Sequence, residues 1–233
     1  MANPRAFNRT KSLINLLEKR GERASEGTLR LETLLGTSGN YTFQINENQN
    51  KLVTEYRLRS GDAFIPTKIG MFIRRVTCVA NAPTEAQLSV GQLHSFANPF
   101  IFLTGAEAVN LEVLYNSRIQ INVNSVNLTE FYDTQRFKRV GQAQQGQLVF
   151  TASNTGRSQW DGADYGFNPY EQDIAFNGQA NNQVQVILPS AIVCSTGLTT
   201  ENNYLVVIFK GVLIQNGAKV VNDKSIKTFM ANA

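Results

Sequence analysis

The sequence predicts a mainly β protein, a jelly-roll β-sandwich with a short helical N-terminal arm. Seven segments between residues 41 and 216 are rich in Val, Ile, Phe and Tyr and are bounded by Gly, Asn and Pro, as strands are. The connections between these segments are long and helical patterns are few, which favours two packed sheets. With 233 residues, 42% of them hydrophobic, the chain can bury the core of one large β-domain.

The predicted arm comprises residues 1–36. Its helix places four apolar side chains on one stripe, and Gly21 follows as a stop signal. A helix of about ten residues is marginal alone in water, so it must dock on something. Docking on its own domain and docking on a neighbouring copy are both open. For the second alternative, the candidate interface residues are Leu13, Ile14, Leu16 and Leu17.

The net charge of the chain lies in this arm. Residues 1–30 hold seven Arg and Lys against three Glu, which gives +4, and the whole chain is also +4. Residues 31–233 therefore sum to zero. A basic arm can contact nucleic acid or an anionic membrane, such as an inner membrane, but the interleaved Glu residues make either contact weak.

The predicted jelly-roll domain spans residues 37–233. Pro66 requires a strand start, an edge or a bulge in the third predicted strand. Residues 104–116 predict a short helix, although Leu111, Val113 and Tyr115 also alternate as in a strand. The predicted strands are YTFQIN, KLVTEYRLR, DAFIPTKIGMFIRRVTCVA, RIQINVN, GQLVFTA, NQVQVILPS and NYLVVIFKGVLIQN.

The strand RIQINVN, residues 118–124, has an unusual polar face. Its apolar residues alternate with Arg118, Gln120, Asn122 and Asn124, whereas a solvated strand face usually carries Lys, Glu and Thr. The chain contains 40 Asn and Gln, as many as all its Asp, Glu, Lys and Arg together. Amides donate and accept hydrogen bonds without a charge to desolvate, so they suit a surface that meets copies of itself. They also simply fill loops and solvated faces.

The residue types needed for catalysis or metal binding are scarce. His94 is the only histidine, and Cys78 and Cys194 lie too far apart for a metal motif, so we expect buried free thiols. Glycine-rich phosphate loops are absent. We therefore expect no enzyme activity, no small-molecule substrate, no cofactor and no metal. The N-terminus shows no apolar signal-peptide core, and no apolar run is long enough to span a membrane.

Residues 153–182 form the longest irregular stretch, and a loop of this length is often a contact surface. Its aromatic residues are candidate interface anchors, because such rings dominate many interfaces. The nearby acids Asp161, Asp164, Glu171 and Asp173 would also fit a sugar or calcium site. A carbohydrate-binding β-sandwich, lectin-like or receptor-binding, is therefore the alternative function. The candidate anchors are Trp160, Tyr165, Phe167 and Tyr170.

Three stretches resemble a known family. They are RLRSGDAFIPTKIGMFIRRV, LHSFANPFIFLTGAEAVNLEVLYNSRIQINVN and FYDTQRFKRVGQAQQ. Over about residues 55–145, their order of elements is similar to that of jelly-roll capsid proteins of bacterial viruses. The shared order is a strand after a D-x-F turn, an Asn-Pro-Phe segment, a short helix ending in Tyr-Asn and an amide-faced strand.

This resemblance implies a virion structural protein, made in the host cytoplasm and packed in many copies into a shell. It implies contacts with copies of itself and with other virion proteins, and no catalytic residues. Many such proteins are double jelly rolls. Eight or nine convincing strands fit a single jelly roll better, and a compact double jelly roll is the alternative.

Overall fold

The computed structural model describes residues 4–48, 51–79, 82–97, 101–102, 106–139, 166–170 and 172–220. The described chain is mainly β, as predicted, with short helical elements between the strands. The elements are α1 (Pro4–Lys19), β1 (Ala24–Leu34), β2 (Thr37–Gln44), β3 (Ala63–Thr77), α2 (Glu85–Val90), β4 (Leu93–His94), α3 (Glu107–Glu112), a 3-10 helix (Val113–Asn116), β5 (Arg118–Val123), β6 (Val126–Asp133), a 3-10 helix (Thr134–Phe137), β7 (Phe167–Pro169), β8 (Phe176–Asn177), β9 (Asn182–Val193) and β10 (Glu201–Ile214).

The strands form two antiparallel sheets. The first has the order β1-β10-β3-β4, and β7 and β8 also pair with β3. The second has the order β2-β9-β5-β6. Both sheets contribute to one hydrophobic core, for example through Leu205 and Phe209 of β10 and through Ile119 and Val184 of the second sheet. This arrangement is compatible with a β-sandwich.

β3 and β10 are buried on both faces, which explains their nearly continuous apolar sequences. Alternate residues of β10 face the main core. The others face a second layer on the outside of the first sheet, where Val206 and Ile208 belong to one apolar cluster and Val212 and Ile214 to another. A bulge shifts the pairing of these strands at Gly211, beside Pro66, as the proline predicted.

Helix α1 covers one of these outer clusters. Leu13 and Leu17 pack with Ile65 and Ile214. The helix ends at Gly21, where a left-handed φ of +81° allows Gly21 N–H to donate to Glu18 O and the next residue to Leu17 O. The predicted stop signal is thus confirmed. The helix docks on its own domain, so the hypothesis that it docks on a neighbouring copy is wrong.

The predicted boundary of the arm at residue 36 is also wrong. Residues 24–34 form β1, which pairs with β10 along its whole length and sends Leu29 and Leu31 into the main core. The apolar cluster LRLETLLG is therefore part of the β-domain. Leu29, Leu31 and Leu35 point inward at even spacing, which is the strand signal that the predicted arm overlooked.

The predicted strand KLVTEYRLR is an edge segment instead. Residues 51–58 contact β1 through one isolated bridge, in which Arg30 N–H donates to Tyr56 O at 2.9 Å and Tyr56 N–H donates to Arg30 O at 3.0 Å. The buried Glu55 carboxylate accepts Glu32 N–H at 2.9 Å. The segment thereby covers the hydrogen-bonding edge of β1 at residues 30–32, where it hinders pairing with other chains.

Some of the remaining predictions are confirmed, and others concern residues outside the described ranges. The helix within 104–116 is confirmed as α3 and its following 3-10 turn, and both cysteines are buried free thiols. β6 was not predicted as a strand. The predicted strand GQLVFTA lies outside the described residues, as do residues 153–165 and 171 of the loop 153–182.

We expect Leu17→Ala to lower the free energy of unfolding by about 2 kcal/mol, because Leu17 is 1% exposed beneath α1. Leu16→Ala is the matched control, since Leu16 is only half-buried on the same helix, and it should cost less than about 1 kcal/mol. Urea denaturation followed by circular dichroism measures both. Equal losses would contradict the docking of α1 through Leu17.

Candidate interaction surface

The strand RIQINVN forms β5, and its polar side chains lie on the outer face of the second sheet. In β5, Ile119 and Ile121 are fully buried in the core, whereas Gln120 and Asn122 are half-buried on the opposite face. β9 alternates in the same way, with Val184 and Val186 inside and two glutamines outside. The predicted alternation of β5 is confirmed, and the predicted strand NQVQVILPS is confirmed as β9.

The strand register aligns these amides in rows across the sheet. Gln183 of β9 is paired with Gln44 on one side and with Asn122 on the other, and Asn122 is paired with Asn127 of β6. In the next row, Gln185 lies between Thr42 and Gln120. We call this surface the amide face; it comprises Gln44, Gln120, Asn122, Asn127, Gln183 and Gln185.

A tight hairpin holds β6 against β5. Asn124 and Ser125 both have a positive φ, 51° and 65°, which is the geometry of a two-residue type I′ turn. Asparagine favours this region because its side chain can bond locally. Here Asn124 Oδ1 accepts Asn181 N–H at 3.0 Å, and Asn124 N–H donates to Asn181 O at 2.8 Å. The turn is thus fixed to the end of β9.

β6 forms an edge of the second sheet and exposes apolar side chains. Val126, Leu128 and Phe131 are 58%, 44% and 72% exposed. The Arg118 guanidinium lies 5.1 Å from the centre of the Phe131 ring. The pairing of β5 with β6 shifts register twice, and such bulges disfavour the addition of a further strand at an edge.

Three predicted interface residues are buried inside the subunit, so their assignment as anchors for another molecule is wrong. Leu13, Leu17 and Tyr170 are each 1% exposed. Tyr170 packs edge-on against Phe209, with ring centres 6.4 Å apart, and its hydroxyl lies 2.9 Å from that of Thr129. Sequence alone could not distinguish a core ring from a surface ring in an irregular segment.

The other predicted interface residues differ in their environments. Ile14 packs partly against the cluster below α1, and Leu16 is half-buried. Phe167 in β7 is half-buried between Phe72, at 5.4 Å between ring centres, and the Lys210 ammonium, at 4.1 Å. Trp160 and Tyr165 lie outside the described residues.

In the described part of the chain, the His, Cys and Asp side chains considered as candidate reactive groups make contacts within the folded protein. His94 is buried and packs edge-on against Phe102. Burial raises the pKa of the Cys194 thiol, which keeps it protonated. Within the described residues, no group of three or more His, Cys, Asp or Glu is placed to hold a metal ion. Asp173, one of the predicted loop acids, accepts a hydrogen bond from Arg9 at 2.6 Å.

A hollow of about 470 Å³ lies between β1, the end of β10 and residues 57–62. Its ionic groups also serve the fold. Asp62 Oδ1 accepts Asn216 N–H at 2.9 Å, and Arg57 forms an ion pair with Glu55 at 2.9 Å. The amide face is the candidate interaction surface of the described residues.

None of the helices in the described ranges is both long and apolar enough to cross a lipid bilayer. The chain matches no model of a known protein family. It also matches none of the curated proteins with which it was compared. Its function must accordingly be inferred from the fold and from the amide face.

Proposed function

We propose that this chain is a capsid protein of a bacterial virus, a jelly-roll subunit that self-assembles in many copies into the shell. The observation that carries the proposal is the order of strand pairing. A jelly roll arises when a long antiparallel ribbon, in which strand one pairs with eight, two with seven, three with six and four with five, is wrapped into two packed sheets.

The pairing in the described part of the chain is compatible with that scheme. Apart from β4, a two-residue strand at the edge of the first sheet, we number β1, β2, β3, β5, β6, the β7 and β8 pair, β9 and β10 as strands one to eight. The four ribbon pairs are then β1 with β10, β2 with β9, β3 with β7 and β8, and β5 with β6. Wrapping would bring β10 beside β3 and β9 beside β5, and these strands are neighbours in the two sheets. A single set of eight among the described strands favours a single jelly roll over a double one.

The surface chemistry supports assembly into a shell. Subunits packed in many copies must avoid repulsion between like charges, and residues 31–233 have no net charge. The amide face offers donors and acceptors without formal charge. Protein interfaces commonly use such neutral polar contacts together with bridging waters. A rigid sandwich with neutral polar faces is thus suited to remain dissolved alone and to pack against copies of itself.

The basic N-terminal region has a separate role in this proposal. Because Leu13 and Leu17 hold α1 on the sheet, the opposite side of the helix presents Lys11 and Lys19 to solvent. These charges can make weak, salt-sensitive contacts with nucleic acid or an inner membrane within the virion. Other virion proteins are further partners in such a shell.

We expect the purified protein to form large, regular assemblies. Light scattering across salt concentrations, followed by electron microscopy, measures their size and shape. The assemblies should persist in high salt, because neutral amide contacts are not screened. A strictly monomeric protein at tens of micromolar under all conditions would contradict the proposal.

The carbohydrate-binding sandwich is the second candidate function. The predicted sugar site relied on aromatic side chains of the loop 153–182, and Tyr170 was one of them. Tyr170 lies in the core, where it cannot stack on a sugar. A glycan array tests it directly. Binding of a glycan by a protein that remains monomeric would replace the shell proposal with this one.

A further inference from the structure

The amide face is chemically complementary to itself. Each Asn or Gln side chain carries an NH₂ donor and a carbonyl acceptor, so two identical amides can satisfy each other. Within the face, Gln120 Nε2 already donates to Asn122 Oδ1 at 3.3 Å. A face of one charge would require an oppositely charged partner, whereas rows of amides can pair with identical rows.

We propose that the amide face docks on the amide face of a second copy, related by a two-fold axis. Such a contact uses the same patch on both subunits and is the commonest arrangement of identical chains. The inference rests on the proposed function, because it names the surface through which two subunits of the shell meet.

The size of the second sheet sets a limit on such a contact. Four strands spaced by about 4.8 Å span about 19 Å. β2 contributes eight residues, and at about 3.4 Å per residue it is about 27 Å long. The flat footprint of the whole outer face of the sheet, of which the amide face is one part, is therefore about 500 Å². A standard interface buries roughly 800 Å² per partner, so side chains beside the amide face must contribute to the contact as well.

Apolar groups within and beside the face would add stability. Ile187 lies in the row after Gln185, between Asn40 and Arg118, and is half-buried in the single subunit. At the β6 edge, Leu128 and Phe131 are exposed and would be shielded by a second copy. An apolar centre with a polar surround is the common anatomy of a protein interface.

A second copy fits this face better than a glycan does. Sugar sites commonly stack the flat face of the sugar on an open aromatic ring. The exposed ring beside this face, Phe131, already has the Arg118 guanidinium over it. Strand addition at the edge is disfavoured by the two register shifts in β6.

A charge-swap experiment tests the contact. One variant carries Gln44→Glu and Gln120→Glu, and the other carries Gln44→Lys and Gln120→Lys. The two positions lie on β2 and β5, with β9 between them, so each variant avoids like charges on directly paired residues. The control, Gln92→Glu with Gln215→Glu, adds the same charge at exposed positions outside the amide face.

Each charged variant alone should associate at least about tenfold more weakly than the wild type, because like charges then face each other. An equimolar mixture of the two variants should recover association to within about threefold of the wild type. The control should associate normally. Analytical ultracentrifugation measures the wild type, both charged variants, their mixture and the control, and circular dichroism verifies folding.

The failure of this inference differs from the failure of the proposed function. If the charged variants assemble as well as the wild type, the shell stands and this interface is overturned. If each variant loses association and the mixture does not recover it, the face does not meet itself. A wild type that remains monomeric overturns both proposals, and glycan binding that the Glu variant abolishes assigns the face to a sugar.

Discussion

Replacing Arg74 with methionine should lower the free energy of unfolding by about 3–5 kcal/mol. Arg74 lies on the outer face of β3 with its side chain 1% exposed, and Nη1 donates to Glu32 Oε2 at 2.5 Å. The same nitrogen reaches Thr54 Oγ1 at 3.0 Å, and Nε donates to Gly91 O at 3.3 Å. Glu32 is fully buried, so removal of the arginine leaves a carboxylate out of water with Arg30 as its remaining ionic partner.

The double variant Glu32→Met with Arg74→Met should be more stable than Arg74→Met alone, because it removes the buried carboxylate as well. Lys51→Met is the matched control. Lys51 pairs with Glu47, and their side chains are 38% and 40% exposed, so its loss should cost at most about 0.5 kcal/mol. Guanidinium chloride denaturation measures the series. A cost for Arg74→Met no larger than that for Lys51→Met would contradict a structural role of the buried pair.

This buried pair also connects distant segments. Arg74 is in β3, Glu32 is in β1 and Thr54 belongs to the edge segment, so one side chain ties three parts of the outer layer together. Glu55 reinforces the same junction, because its carboxylate accepts Glu32 N–H of β1 at 2.9 Å and Leu52 N–H of the edge segment at 2.7 Å. The edge segment is thus fixed by charged groups where a regular strand would be fixed by a ladder of backbone bonds.

Local sequence patterns predicted the strands whose burial pattern stays the same along most of their length. β5 has one buried face and one polar face, and its alternation identified it, whereas β9 was identified by its Val- and Ile-rich composition. β10 is buried on both faces and was identified by its apolar run. The edge segment was mistaken for a strand because it contains Leu52, Val53 and Tyr56, although its backbone makes only isolated bridges. The amino-acid composition of a segment indicates whether it is buried, but it does not indicate whether a neighbouring strand lies beside it to form backbone hydrogen bonds.

The candidate site depends on register, which is not local. The sequence indicated an amide face on β5, but the alignment of Gln183 with Gln44 and Asn122 arises from pairing between segments more than fifty residues apart. In the same way, the stripe of Leu13 and Leu17 predicted that α1 docks but could not identify the surface. An amphipathic helix specifies which side is buried, and only the tertiary structure shows what covers it.

His94 should make the protein less stable as the pH falls from 6.5 towards 4. Burial, followed by the positive charge of Arg75, lowers the pKa of His94 to about 4. In the unfolded chain a histidine binds its proton near pH 6.5. Between these values the unfolded chain binds the additional proton, so the equilibrium shifts towards unfolding. Between pH 7 and pH 5 this difference amounts to about 2 kcal/mol.

The variant His94→Gln should lose this part of the pH dependence. The change in the free energy of unfolding between pH 7 and pH 5 should be about 2 kcal/mol smaller in the variant than in the wild type.

Because His94 is the only histidine, nuclear magnetic resonance can follow its ring directly. In the folded protein the signal should stay constant from pH 8 down to about pH 5. A midpoint near 6.5 would show that the ring is solvated, which would contradict its burial against Phe102.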